Sequence, residues 1–195
     1  MLWFAAGGLV VALVGGLAVF LSRGTTTPPP AAAEAPFAAG GDGGGAPPDI
    51  SSMSPRERYD RLFNRIMRAA EQGDQATVEN FAPMALSAYG MLDPKEVDPD
   101  ARYHAALIRL HTNDVAGASA LADSILRQQP THLFGILLKG TIARFQKNQK
   151  ALDQSYADFL ARYDAEMKAN RPEYAEHPRA LEEFLKSARA AKGQT

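Results

Sequence analysis

The chain has 195 residues, with 21 lysines and arginines against 22 aspartates and glutamates and a formal net charge of -1. That balance excludes the basic footprint of a nucleic-acid binder. There is no cysteine, so disulfides, thiolate chemistry and cysteine-ligated zinc are excluded, and the redox compartment stays open.

The first element is apolar. Leu2 to Leu21 runs without a charged residue, and about twenty residues at about 1.5 Å each match a hydrocarbon core of roughly 30 Å. No lysine or arginine precedes the run, and it is longer than the apolar part of a signal peptide. It reads as an uncleaved anchor over residues 1–23, embedded in the bilayer through residues 2–21, with Trp3, Phe4 and Phe20 at interfacial positions. Gly8, Ala12 and Gly16 recur every four residues on one face. That spacing lets two membrane helices approach closely, which marks these residues as packing candidates for a homodimer or for another subunit's span. The plain abundance of glycine and alanine in anchors is the competing account. Arg23 alone would place the following chain in the cytoplasm, but one arginine engages the charge rule weakly, and the acidic residues after it favour export. The expectation is a single-pass inner-membrane protein with a periplasmic soluble domain.

Residues 24–53 carry Pro28-Pro29-Pro30, an alanine run and Gly40-Gly41-Asp42-Gly43-Gly44-Gly45, without periodic apolar positions. Such composition cannot bury enough surface to offset the entropy of ordering, so it reads as a disordered Pro/Ala/Gly-rich spacer.

A helical domain is expected over residues 54–192. Ser54-Pro55-Arg56-Glu57 supplies a cap, a first-position proline and a capping-box glutamate. Tyr59, Leu62, Phe63 and Ile66 then recur at helical spacing beside a basic stripe of Arg58, Arg61, Arg65 and Arg68, a solvated face in the ordinary case. Gln72-Gly73-Asp74 breaks this helix, and a second follows from Ala76 to Leu92. Pro83 is expected to kink it or break it near Ala82. An acidic connection then leads to a helix starting near Ala101, for which Asp100 is the expected cap.

Two further hairpins occupy Tyr103 to Tyr163. Their loops, His111-Thr112-Asn113-Asp114 and Phe145-Gln146-Lys147-Asn148, fall 34 positions apart. Asn170-Arg171-Pro172 ends this part, and His177-Pro178 introduces a last helix over Arg179 to Ala191. Its Leu181, Phe184, Leu185 and Ala188 face inward and its charged residues face outward, as a terminal cap requires.

A period near 34 built of helix, short turn and helix resembles the tetratricopeptide repeat. The resemblance rests on Asn113 to Ala118, Ile125 and Pro130, and on Gly140 at the small first-helix position. Ala151 falls one position early, so a one-residue deletion is assumed there, and the turn at Gly73-Asp74 reads as a divergent first repeat. The resemblance implies a concave groove lined by first helices that accepts a protein or peptide partner. Its implied positions are Tyr103, Leu107, Leu110 and His111, then Phe134, Leu137, Thr141, Arg144 and Phe145. Of these, Tyr103, His111, Thr141 and Arg144 are polar enough to be groove candidates.

No catalytic constellation is legible. His104 and His111 share a helix face but lie about 10 Å apart along it, His132 falls in a turn and His177 before a proline. No carboxylate completes a metal set in this reading, and no phosphate loop or nucleophile elbow is present. The expectation is a non-enzymatic, cofactor-free scaffold or assembly factor in the bacterial envelope. The alternative is an accessory subunit held in a larger complex by its transmembrane helix.

Overall fold

The computed structural model describes residues 53–193, which fall in one compact unit. The expected anchor over 1–23, with Gly8, Ala12 and Gly16, lies outside the described residues, as does the spacer up to residue 52. Among the described residues, no helix is long and apolar enough to cross a membrane, and all regular structure is helical.

Three hairpins come first: α1 (Pro55–Glu71) with α2 (Gln75–Gly90), α3 (Pro99–His111) with α4 (Val115–Gln128), and α5 (Leu133–Phe145) with α6 (Gln149–Lys168). A short α7 (Pro172–Glu176) and a terminal α8 (Pro178–Ala191) follow. The start of α1 is a capping box: the Ser54 hydroxyl accepts from the Glu57 N–H at 3.2 Å, and the Ser54 N–H donates to Glu57 at 2.7 Å.

One local device makes all three hairpin turns. Gly73, Asn113 and Lys147 adopt left-handed φ values of 73°, 62° and 55°. The next N–H, of Asp74, Asp114 or Asn148, then reaches back to the carbonyl of Ala69, Arg109 or Ala143 at 2.8, 2.7 and 2.8 Å. This satisfies otherwise unpaired carbonyls at the helix end. The same three side chains cap the following helix by accepting from the N–H of Thr77, Gly117 and Ala151. Termination and initiation are fused in adjacent residues, which forces the chain to reverse within a few positions.

The shared turn sets a shared register. Four, eight and eleven residues after each cap lie Val78, Ala82 and Ala85; Ala118, Ala122 and Ile125; and Leu152, Tyr156 and Phe159, all buried. No deletion is therefore needed in the last hairpin. Leu152, rather than Ala151, occupies the position of Ala118. The expected break at Pro83 is also absent: α2 runs unbroken through it. Pro83 is exposed, so the carbonyl that loses its partner lies on the solvent side, where water can substitute.

The first helices α1, α3 and α5 pack alongside one another, while α4 bridges to α5 and α2 to α3. The main core runs from Tyr103 through Ile125, Leu133, Phe134, Leu138 and Phe159 to Leu181 and Ala188. The first hairpin buries Tyr59, Leu62, Phe63, Ile66 and Val78. Helix α8 closes the far end. Phe184 packs against Tyr156 and Phe159 at centroid distances of 5.1 and 4.8 Å, and a Cβ on Gly140 would overlap its ring. Glu182, Glu183, Lys186, Arg189 and Lys192 face outward, as the sequence predicts for a cap.

Candidate functional site

The groove candidates do not share one environment. Tyr103 is only 3% exposed. Its ring stacks on Phe134 at 4.4 Å and meets the edge of His177 at 5.2 Å, so it belongs to the core. Thr141 is half-buried and donates to the Leu137 carbonyl at 3.0 Å. Arg144 is exposed and donates to the Tyr156 hydroxyl at 2.9 Å, while His111 is exposed at the end of α3. Beside Arg144, Phe145 is 51% exposed. The chain itself roofs the N-terminal ends of α3 and α5, because Tyr174 and His177 both pack edge-on against Phe134 at 5.4 Å.

A polar cluster lies under that roof. Asp98, not Asp100, caps α3, accepting from the Ala101 N–H at 2.7 Å with Pro99 at the first helical position. Proline has no N–H to cap and its φ suits the helix start, so the helix begins two residues earlier than expected. Asp100 is thereby freed from capping. It stands one turn before His104 on the same face, and both residues are buried, at 5% and 6% exposure.

His177, at the junction of α7 and α8, completes the group. Its Nε2 lies 2.8 Å from Asp100 Oδ1 and 3.0 Å from His104 Nε2, and His104 Nε2 lies 3.4 Å from the same Asp100 oxygen. Around this trio, Arg56 of α1 binds Asp100 Oδ2 at 2.5 Å, Asp98 at 3.0 Å and Asp60 at 2.9 Å. Phe63 stacks on the His104 ring at 3.7 Å, and the Tyr59 hydroxyl donates to the Ala101 carbonyl at 2.9 Å. Burial by itself would raise the Asp100 pKa. The His177 hydrogen bond, the charges of both imidazoles and Arg56 outweigh it and hold the carboxyl below the usual range.

A second cluster sits at the start of α5. The fully buried His132 accepts the Phe134 N–H on Nδ1 at 3.2 Å and faces Glu173 with Nε2 at 3.0 Å. Burial lowers its pKa, against the raising effect of Glu173. Next to it Glu166 accepts from Thr131 at 2.6 Å, Arg171 at 2.9 Å and Tyr174 at 2.8 Å. The Tyr174 hydroxyl in turn accepts the Leu133 N–H at 2.9 Å. No buried side-chain nitrogen or oxygen of this second cluster lacks a partner, and the network pins α7 to α5 and α6.

Among the described residues, the histidines and carboxylates whose donor atoms converge as metal ligands would are Asp100, His104 and His177, all within 4.8 Å of one another. In the sequence His104 shares a helix face only with His111, about 10 Å away and too far to hold one ion with it, and Asp100 is the expected cap. The aspartate–histidine spacing of four was the one available signal, and nothing local pointed to His177, 73 positions after His104. No protein-family model, curated protein or solved structure matches this chain.

Proposed function

We propose that this protein is a membrane-tethered scaffold of tetratricopeptide type, which recruits a protein partner through the face formed by its first helices. The observation that carries the reading is the side-by-side packing of α1, α3 and α5 in one register. Helix, turn and helix recur from Pro99 to Leu133 and from His111 to Phe145, each pair of bounds 34 positions apart. Side-by-side first helices form a continuous surface that a peptide or partner helix can cross. At the open end of that surface His111, Arg144 and Phe145 are exposed, offering a cation, an imidazole and an aromatic ring. The role is binding, not catalysis, and the apolar run at 2–21 would hold the domain at the inner membrane, facing the periplasm.

The test is affinity capture of the full-length protein from membranes in mild detergent, beside a chain starting at Ser52 and beside the His111→Ala/Arg144→Ala double variant. The scaffold reading expects one partner captured by both lengths and lost in the double variant. Capture by the full-length form alone would transfer the association to the Gly8-Ala12-Gly16 face and make the protein an accessory subunit. Capture undiminished in the double variant would show that the groove does not hold the partner.

A further inference from the structure

We propose that Asp100, His104 and His177 form a binding site for a divalent transition-metal ion of the zinc class. The inference is independent of the scaffold reading, because it rests on three donor atoms and their proton count. The atoms are Asp100 Oδ1, His104 Nε2 and His177 Nε2, separated by 2.8, 3.0 and 3.4 Å. An ion about 2.0–2.1 Å from each ligand atom, with ligand angles between right and tetrahedral, sets them roughly 2.9–3.4 Å apart.

Protons alone serve this trio poorly. A neutral imidazole carries one N–H and an imidazolium two. A charged His104 would give Asp60 a proton, but its Nε2–H would then stand 3.0 Å from the Nε2–H that His177 gives Asp100. If the His104 proton sits on Nε2, two N–H groups can meet at 3.0 Å, and the bare Nδ1 turns its lone pair toward the Asp60 carboxylate, 3.5 Å away. If the proton sits on Nδ1, it faces Asp60 favourably. A single proton on His177 Nε2 must then serve both Asp100 and His104, whose lone pairs stand 3.4 Å apart with nothing between them. The buried His104 Nδ1 has no well-formed hydrogen bond in either arrangement. The contrast with His132 is direct, since there one acceptor nitrogen and one donor nitrogen each find a single complementary partner. An ion at the centre of the trio would take up three lone pairs at once.

The surroundings match that occupant. With the ion on Nε2, His104 must carry its proton on Nδ1, and Asp60 stands on that side. A carboxylate behind a ligating histidine fixes its tautomer and raises its basicity. Asp60 is itself held by Arg56, which also takes Asp100 Oδ2 and leaves Oδ1 as a one-oxygen ligand. The carboxylates of Asp60, Asp98 and Asp100 meet the single guanidinium of Arg56, so the site has negative charge to spare for a dication. Two imidazoles with one carboxylate select zinc, cobalt, iron or nickel over calcium or magnesium. Such an ion would clip the junction of α7 and α8 to α3 and, through Asp60 and Arg56, to α1.

The full-length chain in mild detergent, stripped with chelator, is titrated with Co²⁺ and then Zn²⁺. One ion per chain is expected, with visible cobalt bands of an imidazole and carboxylate set that equimolar Zn²⁺ abolishes. His177→Ala should lose the bands and stoichiometric binding. Asp60→Asn should weaken Zn²⁺ about 10-fold or more, and a change at the exposed Glu182 of α8, Glu182→Ala, should leave both unchanged. Absence of cobalt bands and of retained Zn²⁺ in the unaltered chain overturns the site. So does binding that His177→Ala leaves intact, or that Glu182→Ala impairs equally. If circular dichroism shows that His177→Ala has lost its helices, the more conservative His177→Gln replaces it. A Gln variant that binds as tightly as the unaltered chain would refute the assignment, and one that loses binding with its helices intact would support it.

Discussion

Lys147 is a lysine in a glycine's conformation, at φ 55°. For a residue with a Cβ the left-handed region costs roughly 1–2 kcal/mol. Glycine escapes that cost but gives back about 0.4–1 kcal/mol through its freer unfolded state. The Lys147 side chain is exposed, so Lys147→Gly loses no packing and should stabilise the domain by about 0.5–1 kcal/mol. The two equivalent turns calibrate the argument. Asn113, at φ 62°, is a residue type that tolerates this region, so Asn113→Gly should change stability by no more than about 0.5 kcal/mol. Gly73 sits at φ 73°, and a Cβ added there would have nothing within 4 Å. Gly73→Ala therefore meets no clash and should lose about 1 kcal/mol through backbone strain alone. Urea unfolding followed by far-ultraviolet circular dichroism reads all three as shifts in midpoint at constant slope. The reasoning fails if Lys147→Gly destabilises the protein, or if Gly73→Ala is neutral while the slope is unchanged.

Phe134 is fully buried between Tyr103, His132, Tyr174 and His177. Phe134→Ala should cost about 3–5 kcal/mol in urea unfolding, and a loss under about 1 kcal/mol would mean that the roof over α5 is not packed as described. Glu166→Gln keeps the shape but turns an acceptor toward three donors into a mixed group, and should cost about 2 kcal/mol; an unchanged midpoint would refute its role as the pin for α7. Acid should weaken the fold in two stages. Burial lowers the His132 pKa, so the unfolded chain takes up that proton first and stability falls as the pH drops below about 6.5. For Glu166 burial raises the pKa, but hydrogen bonds from Thr131, Arg171 and Tyr174 outweigh it and lower it. Its contribution is complete above the unfolded value of about 4.3 and is lost as the pH falls further through the folded value. Urea midpoints measured in chelator from neutral pH downward should fall in both ranges, and a flat or rising series would contradict these assignments.

The helices and their turns were legible because the forces that make them are local. Ser54 and Glu57 close a capping box within one turn of chain, and Asp114 and Asn148 cap helices from adjacent residues. The apolar stripe of Leu181, Phe184 and Ala188 likewise announces its own buried face. Register was less legible. The small residue at 118 and the leucine at 152 differ in size, so composition alone misaligned them by one position, whereas the turn hydrogen bonds place them identically.

The polar clusters depended on distance along the chain. Two aspartates at 98 and 100 both suit a cap, and only the packed structure shows Asp98 taking it and Asp100 turning inward. Tyr103 looks fit for an open surface in the sequence, but Phe134 stacks on it and His177, more than seventy residues away, covers it. Periodicity and capping report which face of a helix is apolar. They carry no information about which distant side chain closes over its end, because that choice is made by tertiary packing, where burial forces each charge and imidazole to find a partner.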